Sequence, residues 1–205
     1  MSNIIKNCDE LIMAPQGPSV VRNENDIYFY SDVFSESVLM LNLHIKDAVK
    51  LSRDIQLRYP TDNKMGVCVQ LPVIIHINSF GGSVFDSLAA VDTIEGHIRQ
   101  GVPIYTIIEG CAFSAATVIA AAGSKRFITK NSTYLIHEMS QQFEGKLSEL
   151  EKATKGLKKS AEIYTRIYKQ HSNMTTPQIK KLIDNEEYLS PEDVLKFGLV
   201  DEILC

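Results

Sequence analysis

The sequence lacks the features that would place it in several common classes of protein. No run of about 18 apolar residues occurs in its 205 residues, so it has no candidate for a membrane-spanning helix. Residues 1–10 are interrupted by charge and form no apolar signal-peptide core, so we expect a cytoplasmic location. The net charge is −4 and no stripe of lysine or arginine is present, which argues against nucleic acid as a partner. No membrane partner is expected either, because no apolar run is long enough to span one.

Cysteine is scarce and shows no pairing pattern. Cys8, Cys68, Cys111 and Cys205 form no C-x-x-C pair and have no zinc-like spacing, so free thiols in a reducing compartment are predicted and no metal site is expected. The chain also has no Gly-x-x-x-x-Gly-Lys-Ser/Thr loop, so it cannot bind ATP in that way.

What is present fits one compact domain over residues 1–205. Hydrophobic residues make up 44% of the chain, enough for one sizeable core. Strand patterns followed by helix patterns recur along the sequence, which predicts an α/β fold with largely parallel strands. The first strand is expected at 27–31, helices are expected from Ser35 and over 84–98, and a loop is expected at 58–66.

A long helix is predicted from about 146 to 171. Apolar residues recur there every three or four positions, which predicts a helix about 39 Å long at 1.5 Å per residue. A helix of this length extends beyond a small domain, although an ordinary core-facing helix would show the same stripe.

Ser114 is the most informative residue. It lies where the strand-like run 102–109 turns into the small-residue helix 115–122. A hydroxyl at a helix N-terminus faces unpaired N–H groups, which would stabilise negative charge beside it. Ser114 is therefore a candidate nucleophile, with helix capping as the simpler alternative. Cys111, close by, is more plausible as a small buried thiol.

Two further segments bear on this choice. In residues 73–84 a β-branched run meets Gly81 and Gly82 before a helix, and adjacent glycines allow a sharp bend and close approach to a ligand. Residues 125–137 contain two short strands around a turn at Asn131-Ser132 and end on His137, which could be structural or a base.

Together these segments resemble the ClpP family, the proteolytic subunit of the Clp protease. Residues 77–82 (INSFGG) resemble its glycine-rich turn, residues 110–115 (GCAFSA) its nucleophile turn and residues 134–137 (YLIH) its histidine strand. Residues 188–192 (YLSPE) and 197–201 (FGLVD) resemble its closing helix and strand. The match covers roughly residues 27 to 204, and it favours the nucleophile interpretation of Ser114 over capping.

The resemblance implies roles for individual residues. Ser114 would be the nucleophile, His137 the general base, and the N–H groups of Gly82 and Ala115 the oxyanion hole. Counted back from Leu189-Ser190, the family's aspartate position falls on Glu186, and a glutamate can orient an imidazole as an aspartate does. Asp184 is the alternative third member if the turn is shifted, and Glu187 is expected to be a solvated charge. No cofactor is needed for this chemistry.

The resemblance also implies a fold and an assembly. The fold would be a ClpP/crotonase-like spiral of β-β-α units with a protruding handle at about 140–172, made of a strand at 141–145 and the long helix. The chain would assemble with itself into stacked rings, heptameric in the family, around an enclosed chamber. A separate AAA+ unfoldase, driven by ATP, would supply unfolded polypeptide substrates.

The sequence departs from the family pattern at two places. The segment 1–26 is short and unlike the axial loop region, which puts unfoldase docking in doubt, and Glu138-Met139 follows His137 where the family usually has glutamine and proline. A divergent, virus-encoded form would fit these differences.

Other classes stay open. They are a catalytically inactive ring subunit, a crotonase-type acyl-CoA enzyme, and a serine–lysine peptidase related to signal-peptide peptidases. The presence of both Ser114 and His137 at family positions argues against the last two.

Overall fold

The computed structural model describes residues 20–58, 71–140 and 143–205. The strands are β1 (Val20–Asn23), β2 (Asp26–Phe29), β3 (Val73–Ser79), β4 (Ile104–Phe113), β5 (Lys125–Thr129), β6 (Thr133–Leu135), β7 (Tyr188–Leu189) and β8 (Glu202–Leu204). The helices are α1 (Ser35–Arg58), α2 (Val84–Arg99), α3 (Ala115–Ala121), α4 (Leu147–Gln170), α5 (Thr176–Asn185) and α6 (Pro191–Lys196).

The strands form one sheet in the order β1-β2-β3-β4-β5-β8, parallel from β2 to β8. The long strand β4 changes partner along its length. Its first part pairs with β5, and its last residues pair with β6, which in turn pairs with β7. The sheet therefore divides at the carboxyl end of β4, which is the edge where ligands bind in parallel sheets.

The core lies between one face of the sheet and helices α1, α2 and α3. Strand β3 alternates buried and half-buried residues, as expected when one face of a strand packs on the core. Helix α3 is composed of small or β-branched residues, and all of them are buried. Small side chains let α3 approach the sheet closely, and this fixes the position of the turn that precedes it.

The mixed α/β class predicted from the sequence is confirmed. The strand expected at 27–31 is β2, but β1 was not predicted. The two short strands around Asn131 are β5 and β6, and both pair with β4 in parallel. Cys111 is buried as expected, whereas Cys8, Cys68 and most of the predicted loop at 58–66 lie outside the described residues. None of the helices in the described ranges has the length and apolarity to cross a membrane.

Helix α4 confirms the prediction of one long helix. Its buried residues all lie in its C-terminal half, where it packs on α3, and Leu147 at its start is 74% exposed. The strand expected beside it at 141–145 is not shown. Residues 141–142 lie outside the described residues, and 143–145 are not part of a strand.

Candidate active site

Ser114 occupies a strained turn between β4 and α3. Its backbone torsions are φ 51° and ψ −123°, a region that residues with a side chain rarely adopt. Such a conformation costs about 1–3 kcal/mol, persists only where the surroundings enforce it, and is concentrated at functional sites. The strand passes into the helix with no intervening loop, so the side chain of this one residue stands at the carboxyl edge of the sheet.

The hydroxyl of Ser114 does not cap the helix. Ser114 is the N-cap residue of α3, but its side chain accepts no hydrogen bond from the first turn. The interpretation of Ser114 as a simple capping serine is therefore wrong. The side chain is half-buried and lines a cavity of about 430 Å³, so it is accessible to a small group bound there.

The glycine turn packs directly against this serine. A Cβ built on Gly81 would lie 2.6 Å from Ser114 Cβ, and one built on Gly82 would lie 2.3 Å from the carbonyl oxygen of Val33. Both glycines also have positive φ, 96° and 140°. Only glycine fits at these two positions, because any side chain would displace the neighbouring backbone.

Two main-chain N–H groups near Ser114 have no acceptor in the described part of the chain. Val33 forms a bridge with the glycine turn: Val33 N donates to Gly81 O, and Ser83 N donates to Val33 O, both at 2.7 Å. The N–H of Gly82 takes part in neither hydrogen bond. Ala115 is the first residue of α3, so its N–H lacks an intrahelical acceptor. Gly82 lines the cavity, and Ala115 N is 3.1 Å from a Cβ built on Gly81.

His137 is brought to the same cavity by strand pairing. Leu135 of β6 lies opposite Phe113 of β4, and Ser114 N donates to Leu135 O at 2.9 Å. Ser114 and His137 both line the cavity. Within the described ranges, no hydrogen bond joins the two side chains. Catalytic hydrogen bonds are often long in structures without substrate.

The two candidate carboxylates are exposed and make no hydrogen bond with His137 among the described residues. Glu186 is the C-cap of α5 in the left-handed conformation (φ 51°, ψ 44°); it is exposed and does not line the cavity. Asp184 is also exposed, and neither residue hydrogen-bonds to the imidazole in the described part of the structure. The C-terminal turn of α5 does reach the cavity through Ile183. The assignment of Glu186 or Asp184 as third member stays a prediction, and Glu187 is exposed as expected.

Cys111 does not compete as a nucleophile in this site. Its thiol is buried and lies 3.4 Å from Asn78 Oδ1 and 3.6 Å from Ser79 O, outside the cavity lining. Burial raises the pKa of the Cys111 thiol, which keeps it protonated and weakly nucleophilic.

Helix α4 forms one wall of the cavity, a role that the sequence did not reveal. Its contributions are Thr154, Leu157, Lys158, Ala161, Tyr164 and Tyr168. The apolar stripe of α4 could be recognised in the sequence, but the sequence did not indicate that this stripe faces the cavity. With Phe80, Val84 and Ile183, the helix makes the walls mostly apolar. The cavity can therefore hold an apolar side chain beside a hydroxyl, an imidazole and unpaired N–H donors. This set of groups is suited to acyl transfer.

Known proteins share the sequence family and the fold of this chain. The family model described as Clp protease matches residues 22–205. Among solved structures, the chain is similar to a point mutant of ClpP1 from Listeria monocytogenes, with 23% sequence identity and a TM-score of 0.69. That similarity covers 88% of this chain and 91% of the other chain.

Proposed function

Because the chain belongs to the Clp protease family, we propose that it is a serine endopeptidase in which Ser114 attacks the peptide carbonyl and His137 is the general base. The observation that carries this proposal is the strained Ser114, which lines one cavity with His137 and Gly82. This combination of a nucleophile, a base and N–H donors is suited to the peptidase activity of a Clp-type enzyme.

The reaction follows from the roles of these groups. The hydroxyl of Ser114 is a weak nucleophile at neutral pH, so His137 must accept its proton as the Oγ–carbonyl bond forms. The negative charge on the former carbonyl oxygen would be stabilised by the N–H groups of Gly82 and Ala115. One such donor lowers the barrier by about 3 kcal/mol. The imidazolium then protonates the leaving amine, and water hydrolyses the Ser114 ester by the same steps in reverse.

Assembly into rings is the second part of the proposal. Helix α4 is exposed at its N-terminal end, and α1 exposes Leu39 (60%) and Leu43 (50%), which lie one turn apart on one face. These apolar surfaces support packing between copies of the chain, because apolar side chains of this size gain free energy when buried. In such a chamber the cavity would receive unfolded polypeptide, delivered by a separate ATP-driven unfoldase.

Fluorophosphonate labelling tests the nucleophile directly. We expect one covalent adduct on the intact protein, mapped to Ser114 by peptide mass spectrometry, and a loss of labelling in His137→Ala because the unassisted hydroxyl reacts slowly. Ser124→Ala is the matched control, because Ser124 is exposed, bonds only to Ile104 O among the described residues and lies outside the cavity. An adduct on another residue, or none at all, would contradict the proposal.

A catalytically inactive ring subunit is the second candidate. The observation in its favour is that Glu186 and Asp184 are exposed and not bonded to His137 in the described structure. An inactive subunit would form the same oligomer, measured by light scattering, and would give no fluorophosphonate adduct.

Separate replacement of the two carboxylates tests the third member of the triad. If Glu186 orients the imidazole, Glu186→Gln should lower kcat by roughly 10²- to 10⁴-fold and leave KM little changed, because the wrong tautomer of His137 would then be favoured. Asp184→Asn should then stay close to the wild-type kcat. The opposite result would assign the role to Asp184, and equal wild-type activity in both variants would mean that neither residue orients His137.

A further inference from the structure

A buried chain of hydroxyl groups connects helix α4 to the backbone of the candidate nucleophile. The hydroxyl of Tyr168, on α4, lies 2.6 Å from Thr117 Oγ1 in α3. Thr117 Oγ1 in turn donates to the carbonyl oxygen of Ser114. Tyr168 is 2% exposed and Thr117 is fully buried, so water does not compete for these bonds. We call these three groups the Tyr168–Thr117–Ser114 relay.

The direction of the relay follows from the single hydrogen on each hydroxyl. The carbonyl of Ser114 can only accept, so the hydrogen of Thr117 Oγ1 is committed to it. Tyr168 must therefore donate its own hydrogen to Thr117 Oγ1. Burial raises the pKa of Tyr168 well above its ordinary value, which keeps the phenol protonated as a donor. Bonds aligned in one direction polarise and strengthen each other in a buried site.

The relay holds the carbonyl group of Ser114, which adjoins the strained backbone torsions of this residue. The torsions φ 51° and ψ −123° require the surroundings to hold the peptide groups on both sides of this residue. Leu135 O accepts from Ser114 N on one side. On the other side, the Ser114 carbonyl accepts from Thr117 N at 3.0 Å and from the relay. The carbonyl belongs to the peptide unit that also contains the N–H of Ala115, so its orientation sets the direction of that donor.

We propose that Thr117 and Tyr168 are positioning residues that hold the Ser114–Ala115 peptide in its reactive orientation, and so tie the reactivity of Ser114 to the docking of α4. This inference rests on the proposed function, since it concerns the same serine. Neither side chain takes part in the proton transfers. Their effect is on the alignment of Ser114 Oγ and of the Ala115 N–H, and small misalignments lower the rate of the chemical step more than substrate binding.

The test compares removal of hydroxyl groups inside and outside the relay. Tyr168→Phe and Thr117→Val each remove one hydroxyl of the relay while keeping most of the side-chain volume. We expect kcat for a peptide substrate, and the rate of fluorophosphonate labelling of Ser114, to fall by roughly tenfold to a hundredfold with KM changed less than about threefold. Thr117→Ser keeps the hydroxyl and should restore both rates to near the wild-type values.

Tyr134→Phe is the matched control. Tyr134 is fully buried, and its hydroxyl donates to the main-chain oxygen of Thr117 at 3.0 Å. Tyr134 therefore also bonds to Thr117, but its hydroxyl is not part of the relay. Removal of the Tyr134 hydroxyl should lower Tm by as much as Tyr168→Phe does and should leave kcat close to the wild-type value. Equal kcat in Tyr134→Phe and Tyr168→Phe at equal Tm would overturn the inference, because the relay would then be only structural.

The outcomes separate this inference from the proposed function. If the wild-type protein gives no adduct at Ser114, the peptidase proposal fails and the relay loses its role with it. If the wild-type protein is labelled and Tyr168→Phe and Thr117→Val are labelled at the same rate, the peptidase proposal stands and the positioning role fails. If Thr117→Val does not fold, Tyr168→Phe and Thr117→Ser still decide the question.

Discussion

Ser114→Ala should abolish peptide cleavage, with kcat lowered by roughly 10⁶-fold, the order of magnitude found when a serine nucleophile is removed. The fold should not change, because alanine keeps the Cβ that packs against Gly81 and loses a hydroxyl that makes no capping bond. Turnover of a fluorogenic peptide, Tm and mass by light scattering measure the three properties. A variant that still cleaves at more than a small fraction of the wild-type rate would contradict the assignment.

The same experiment with His137 tests whether the two residues act as a unit. His137→Ala should lower kcat about as much as Ser114→Ala, and the double variant should be no slower than either single one, since groups that act together in one step are not additive. Losses that multiply in the double variant would mean that His137 acts apart from Ser114. Ser124→Ala, which changes an exposed serine outside the cavity, should keep the wild-type rate.

Gly82→Ala should lower both stability and activity. Its Cβ would meet the Val33 carbonyl oxygen at 2.3 Å, and the φ of 140° is itself strained for alanine. Because backbone must shift to relieve the contact, we expect the free energy of unfolding to fall by about 2–4 kcal/mol. We also expect kcat to fall by roughly 10²-fold as the Gly82 N–H moves. Urea unfolding and peptide turnover measure the two effects.

Gly96→Ala provides the control for this change. Gly96 lies inside α2, and a Cβ built on it meets nothing within 4 Å. Alanine there should raise the free energy of unfolding by about 0.5–1 kcal/mol through helix propensity and leave kcat unchanged. If Gly82→Ala were as stable and active as Gly96→Ala, the close packing of the glycine turn and its role as an oxyanion donor would both be wrong.

Much of the fold could be predicted because its signals are local. The apolar periodicity of α1, α2 and α4 is contained within each helix, and the parallel core strands are continuous β-branched runs bounded by turns. Strand β1 was missed because it lies at the edge of the sheet and is defined by its antiparallel pairing with β2, which its own residues do not indicate. The two strands are joined by a turn at Glu24, which has a positive φ of 53° that is not typical of glutamate.

Part of the candidate site could be predicted for the same reason. Ser114 lies between a strand pattern and a helix pattern, and the two glycines precede a helix, so each turn was visible without knowledge of the rest of the chain. The carboxylate could not be placed, because its position depends on how α5 ends and docks. The structure has Glu186 exposed in a left-handed C-cap, which a count of residues along the chain could not indicate.

The sequence by itself determined most of the helices and core strands, the two tight turns and the presence of a hydroxyl at a strand-to-helix junction. These features depend on neighbouring residues and on the conformational freedom of glycine. Only the tertiary structure decided that β6 continues beside the end of β4, that α4 closes the cavity, and that Tyr168 reaches Thr117. These contacts join segments far apart in the chain, and they form only where strand pairing and helix packing bring buried surfaces and hydrogen-bonding groups together.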